Sequence, residues 1–228
     1  MLTPVERSSL AEEVAKKLRL EILTGNIKPG ERILEQAISA MMKTSRGPVR
    51  DALIQLEHEG LILREPNRGA TVVSMTADDV EEVHSLRLAL ELLALRYVME
   101  RARAIDIVRL QGVVESLRAC LSGNFSLQEA VDLDLQFHEE LVVAARNNRL
   151  LSMWQSIKPQ IWFLIYSRNA FALKSFQEAI GTHEDLLESI RRKDFEKCKC
   201  IIQEHLDGAY ANLIETYKET HPKEKEVS

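Results

Sequence analysis

Asp134 and His138 stand four residues apart, so on a helix they share one face. His183 and His205 lie 22 residues apart in the two closing helical segments, which are joined by a short turn around Lys193. In such a hairpin the two imidazoles can lie at one level. Three imidazoles and a carboxylate converging inside a helical bundle would bind a divalent first-row transition metal and leave positions for water or an effector. The same spacing also suits histidines that are hydrogen-bonded core residues, the commoner arrangement. His58, His84 and His221 show no partner pattern. Cys198 and Cys200 on a helix would project about 200° apart, which is poor for shared chelation. Trp154 and Trp162 read as core or interface residues.

These residues need helices to position them, and from residue 76 onward every periodic segment is helical. Thr76–Asp79 has the pattern of a capping box and opens a helix to about Arg101. Ile105–Leu121 is the next, closed by Ser122-Gly123-Asn124. Ser126–Glu129 is a second box, starting a helix to about Ala145. Leu150–Phe171 follows, with Pro159 predicting a kink or break. Ser175–Glu178 reads as a third box, opening a helix to Arg192, and Asp194 caps a last helix to about Tyr217. Short connections make this an antiparallel bundle of about six helices.

The first 75 residues read differently. Leu10, Val14, Leu18 and Ile22 mark one helix face. Glu31–Met42 reads as a second helix with Leu34, Ala37, Ile38 and Met41 inward. A third follows Thr44 or Ser45, whose hydroxyl would cap it. Pro48 sits in the first turn, where its missing N–H costs nothing. Val49, Ala52, Leu53 and Leu56 form its buried face, Arg46 and Arg50 share another, and Gly60 ends it. Leu61–Arg64 and Ala70–Val73 read as strands around a basic turn, Pro66-Asn67-Arg68-Gly69. Helix, glycine stop and basic hairpin in this order make a winged helix-turn-helix, whose recognition helix brings arginines to guanine edges or phosphates of double-stranded DNA.

The patterning predicts a mostly α chain, and its 228 residues are enough for two domains or one large one, with 45% hydrophobic and 29% charged residues ordinary for a soluble globular protein. A net charge of −5 would by itself disfavour DNA binding, but residues 1–75 carry 11 Lys and Arg against 10 Asp and Glu, so the acidity belongs to the second half. A local basic surface suffices for DNA. No run resembles a membrane span, and residues 1–24 are too charged for a signal peptide. Three cysteines, an odd number without zinc-ribbon spacing, predict a thiol-reduced, cytoplasmic protein.

Residues 25–70 resemble the DNA-binding domain of GntR-family bacterial transcription regulators. The resemblance rests on Gly25, Pro29-Gly30, Ser45-Arg46, Pro48-Val49-Arg50-Asp51-Ala52-Leu53, Gly60-Leu61 and Arg68-Gly69-Ala70. The family usually has a glycine in the turn where this chain has Met42-Lys43-Thr44, and often a threonine where it has Gly47. Residues 77–217 resemble the all-helical FCD effector domain of the FadR branch. Its metal-binding members show a D-x-x-x-H and two later histidines, filled here by Asp134, His138, His183 and His205.

The resemblance implies domains at 1–75 (DNA-binding), 76–220 (effector-binding and dimerisation) and 221–228 (tail). It implies a homodimer on an operator, contacted by Ser45, Arg46, Gly47, Pro48, Arg50, Arg68 and Gly69. It implies a repressor controlled by a small carboxylate bound at a divalent metal: Zn, Ni, Mn, Co or Fe, with Zn or Ni favoured. Arg87, which with Glu91 matches the branch's R-x-x-x-E, would hold the ligand carboxylate; the alternative is a surface ion pair. Arg168 is a weaker candidate of the same kind. The rival functions are a metal-dependent enzyme and a direct metal sensor.

Overall fold

The structure, a computed structural model, describes residues 8–65, 69–123, 126–167 and 172–220. Arg68 with Pro66 and Asn67, Asn124, Arg168 and the 221–228 tail lie outside the described residues. The chain divides into two compact units, one running through Ser74 and the other beginning at Met75.

The first unit holds α1 (Ser8–Leu23), β1 (Arg32–Ile33), α2 (Glu35–Met41), α3 (Arg46–His58), β2 (Ile62–Glu65) and β3 (Gly69–Val72). Val14, Leu18 and Ile22 of α1 are buried, and so are Val49, Ala52, Leu53 and Leu56 of α3; α1 packs on α3. Leu10 is exposed, one turn short of that contact.

The second helix departs from expectation. It starts at Glu35, because Arg32 and Ile33 are drawn into a strand that pairs with Thr71 and Ala70. The sheet order is β1-β3-β2, all antiparallel, with Ile62 opposite Val72 and Glu65 opposite Gly69. Ile33 therefore supplies the apolar anchor assigned to Leu34, which is exposed. Ala37 and Met41 are exposed too, and only Ile38 of the expected set is buried. A seven-residue helix is too short to bury a full stripe. In the turn after it Lys43 takes φ +50°, the left-handed conformation for which the family usually supplies glycine.

Gly69 needs its hydrogen. Its φ is +88°, and a Cβ there would sit 3.3 Å from the carbonyl oxygen of Ile33. This candidate DNA contact thus has a structural duty in the β1–β3 pairing.

The second unit is α4 (Ala77–Arg101), α5 (Ala104–Ser122), α6 (Leu127–Ala144), α7 (Asn148–Ser167), α8 (Ala172–Arg191) and α9 (Phe195–Thr220). Thr76 and Asp79 form the reciprocal capping box. Ser126 accepts from the Glu129 N–H at 3.3 Å, and Asp194 from the Lys197 N–H at 3.0 Å. One expectation fails. The Ser175 box lies inside α8, which begins at Ala172, so Ser175–Glu178 are its fourth to seventh residues and cap nothing. Of the kink or break expected at Pro159, the break does not occur, since α7 continues to Ser167. One lost backbone bond is outweighed by the burial of Trp154, Ile161, Trp162 and Leu164 along the same helix.

α6 packs against α4, α5, α7 and α8, while α9 lies on α4 and α8. Val131, Leu135, Phe137, Leu141 and Val142 are fully buried, as befits a helix enclosed on several sides. No helix among the described residues is long and apolar enough to cross a membrane.

Candidate functional site

The unusual feature of the bundle is what occupies its apolar stripes. On α4, Val80, Val83, Arg87, Glu91, Ala94, Leu95 and Val98 are the buried positions. Two ionisable residues thus continue a core seam at three- and four-residue steps. Asp134 and His138 sit likewise among Val131, Leu135, Leu141 and Val142 of α6, and His183 between Ile180 and Leu187 of α8. Burying charge this way is costly unless it is paired or coordinated.

Asp134, His138, His183 and His205 come together. One ligand atom from each lies within 4.8 Å of the others. The ring centroids are 5.2 Å apart for His138–His183, 5.3 Å for His183–His205 and 5.4 Å for His138–His205, a nearly equilateral triangle. Asp134 Oδ1 is 3.7 Å from His183 Nε2. The left-handed turn at Lys193, φ +57°, reverses the chain between α8 and α9 and sets His183 and His205 at one level.

The donor set fits a metal. Nε2 of His138 and both ring nitrogens of His183 are buried without a hydrogen-bond partner. Such orphaned atoms are rare unless something else binds them. Ligands about 2.1 Å from an ion lie at most about 4.2 Å apart, so small side-chain rotations would close the cluster. His138 and His183 are also held well below the ordinary imidazole pKa. Burial is the main cause, with Arg87 adding to it for both and the neighbouring histidines for His183. Neutral imidazole is the form that coordinates metal.

Behind the triangle lies a carboxylate that the sequence reading paired only with Arg87. Glu91, fully buried, has Oε2 2.6 Å from His138 Nδ1 and accepts from Arg87 Nε through Oε1 at 2.8 Å. With Glu91 on Nδ1, the Nε2 lone pair of His138 faces the cluster, the usual carboxylate support of a metal-binding histidine. Burial pushes the Glu91 carboxyl up, and Arg87 opposes that rise. Phe137 stacks on the His183 ring with centroids 3.9 Å apart. Trp154 is wholly buried, its ring centroid 6.0 Å from the Arg87 guanidinium carbon. Its spacing showed a core residue but not that the core there abuts the site.

Arg87 is therefore no surface ion pair. It is 6% exposed, and its Nη2 has no hydrogen-bond partner. It lines a cavity of about 360 Å³ between α8 and α9, with Asp134 and His205 at the same surface and Phe176, Thr182 and Asn212 around it. That volume lies in the ordinary range for small-molecule sites. His84, expected to lack a partner, contacts Asp207 Oδ1 at 3.0 Å and stacks on Tyr210 at 4.4 Å, tying α4 to α9.

The imidazole shifts make stability depend on pH. The unfolded chain takes up protons near pH 6.5 while the folded histidines resist them. Stability of the metal-free protein is therefore full above about pH 6.5 and falls below it, by on the order of 1 kcal/mol per pH unit for each imidazole. Glu91 acts in the opposite sense, but one carboxyl against two imidazoles offsets only part. Urea unfolding in chelator should show a lower midpoint at pH 5.5 than at 7.5; equal midpoints would contradict the neutral-imidazole assignment.

In the first unit Ser45 occupies the N-cap of α3, but its hydroxyl makes no cap hydrogen bond, contrary to expectation. Arg46 and Arg50 are both exposed. Arg50 is held by Glu35, Nη2 to Oε2 at 3.3 Å, whereas Arg46 has no ion-pair partner among the described residues. That hydrogen bond and the Glu35 charge raise the Arg50 pKa, so it stays cationic. Gly47 and Pro48 lie in the same first turn, and a side chain at Gly47 would meet open space.

Comparison with known proteins agrees with this division. Residues 10–72 match the bacterial regulatory proteins of the gntR family, and residues 82–208 match the FCD domain. The HTH-type transcriptional regulator YdhC of Bacillus subtilis (strain 168) is 29% identical over 206 residues, covering 89% of this chain and 90% of its own. The gluconate operon transcriptional repressor of the same organism is 29% identical, covering 83% of this chain and 79% of its own. Among solved structures, E. coli McbR/YncC superposes with a TM-score of 0.76 at 23% identity, over 92% of this chain and 99% of that one.

Proposed function

Because the chain belongs to the gntR family of bacterial regulatory proteins and carries an FCD domain, we propose that this DNA-binding transcription regulator is a homodimeric repressor whose operator affinity is set by a small carboxylate held at a metal. Its matched families and relatives are transcription regulators, not enzymes. The observation that carries the reading is the convergence of Asp134, His138, His183 and His205, with unpartnered imidazole nitrogens, beside a cavity that Asp134, His205 and Arg87 line.

Asp134 and the three histidines would hold a divalent transition metal, with nitrogen and oxygen donors suited to Zn, Ni, Mn, Co or Fe. A bound metal supplies a Lewis-acidic anchor for a carboxylate oxygen. Arg87 offers the second anchor, a charge-assisted hydrogen bond to the same group. Glu91 keeps Arg87 and His138 oriented. A ligand so placed touches α4, α8 and α9 together and would shift the population of DNA-competent states by its differential affinity for them. A cavity of about 360 Å³ favours ligand sensing over direct sensing of an ion, which needs no such space.

The homodimer draws support from α4, where Leu86 and Leu93, seven residues apart, are exposed by 52% and 39%. An apolar outward stripe of this kind suits burial against a second copy.

At the other end, Arg46 and Arg50 would enter the major groove at the N-terminus of the recognition helix, with Ser45, Gly47 and Pro48 at the backbone. Arg46→Ala should weaken binding to an operator selected from random-sequence DNA about 10- to 100-fold, with circular dichroism unchanged. Arg50→Ala should act in the same direction. Unchanged affinity at both low and high salt would remove these residues from the interface. The regulatory reading is tested on the same operator. Release of DNA is expected only when metal and one carboxylate are both present. Release by metal alone would identify a metal sensor.

A further inference from the structure

The mouth of the cavity is lined by carboxylates. Glu178 and Asp185 on α8 and Glu204 on α9 border it, and Arg87 is the only cation among its described lining residues. Glu178 has Lys174 at 3.6 Å, but Asp185 and Glu204 have no cationic partner among the described residues. The deep end is different. Arg87 is more than nine-tenths buried, and its unpartnered Nη2 is a donor for an anion. The cavity is thus polarised, with a single anion-seeking group inside and unneutralised negative charge at the opening.

Resting on the carboxylate reading above, we propose that the cavity selects monocarboxylates carrying hydroxyl or ammonium groups at the far end, and rejects dicarboxylates. The argument is electrostatic. Glu91 already balances the Arg87 charge, so the deep end, with a metal bound beside Asp134, accommodates one further negative charge. A ligand long enough to reach the mouth would place a second carboxylate beside Asp185 and Glu204, where like charges repel. A hydroxyl or ammonium there donates hydrogen bonds to the same carboxylates instead. Thr182 and Asn212 add polar lining between the two ends, and Phe176 and Ile201 add apolar walls for a carbon chain.

A matched series isolates the far-end group: hexanoate, 6-hydroxyhexanoate, 6-aminohexanoate and adipate, titrated calorimetrically into metal-loaded full-length protein. 6-Aminohexanoate and 6-hydroxyhexanoate should bind about 10-fold more tightly than adipate at moderate salt. In an Asp185→Asn/Glu204→Gln variant the preference for the amino compound over adipate should shrink to about 3-fold or less. Adipate binding as tightly as 6-aminohexanoate in the parent, or a preference that survives the double substitution, overturns the proposal and leaves the carboxylate reading intact. Failure of all four to bind at millimolar concentration overturns both.

Discussion

Glu91→Ala is expected to destabilise the helical unit by about 3–5 kcal/mol, the cost of leaving a buried cation uncompensated. Glu91 is fully buried, and its two oxygens serve Arg87 Nε and His138 Nδ1. Removing the carboxylate leaves the Arg87 guanidinium, 6% exposed, without its counter-charge, and frees His138 to reorient. A buried pair can nevertheless be worth little relative to an apolar replacement of both members. The double variant Arg87→Met/Glu91→Leu should therefore recover most of the loss. Urea unfolding of the metal-free protein, followed by the fluorescence of Trp154 and Trp162, measures both. A loss below about 1 kcal/mol in the single variant would mean that water solvates Arg87 where the structure shows it enclosed.

His183→Ala should lower transition-metal affinity by more than about 100-fold, since it removes a ligand outright, while loss of an outer-shell partner typically costs 10- to 100-fold. The chelator-treated parent should take up about one ion per chain and gain roughly 3–4 kcal/mol of stability when free metal exceeds its dissociation constant by 100- to 1,000-fold. The variant should gain no more than about 0.4–1.4 kcal/mol at the same concentration. Glu91→Gln, which keeps a hydrogen-bond acceptor on His138 but loses the charge, should fall between the two. Metal content measured after dialysis gives an independent readout. A parent that retains no metal would return the three histidines to a structural role and leave Arg87 as the sole anchor for an anion.

Much of this site was legible before folding. The four-residue step of Asp134 and His138 and the hairpin separation of His183 and His205 let periodicity bring the four together, because a helix repeats its faces in a fixed way, and the family resemblance singled them out as candidate ligands. The recognition helix was legible for the same reason, with Val49, Ala52, Leu53 and Leu56 on one side and Arg46 and Arg50 on another. Less legible were features that depend on a distant partner. Ile33 and not Leu34 became the anchor because β1 pairs with β3 almost 40 residues later. Helix periodicity carries no information about strand pairing. The Ser175 box is a valid local signal that α8 simply extends past, a cap being worth only about 1 kcal/mol.

The two-part plan, most of the helices, the four candidate ligands and the arginine pair at the head of α3 could be read from the residues alone. Those follow from spacing along one chain. It took the packed bundle to bury Arg87, to let Glu91 bridge it to His138, to lay Phe137 over His183, and to open a cavity with carboxylates at its mouth. An i,i+4 Arg–Glu pair reads the same on a surface helix as in a core. The difference lies in which other helices cover that face, and so in how strongly water screens the charges.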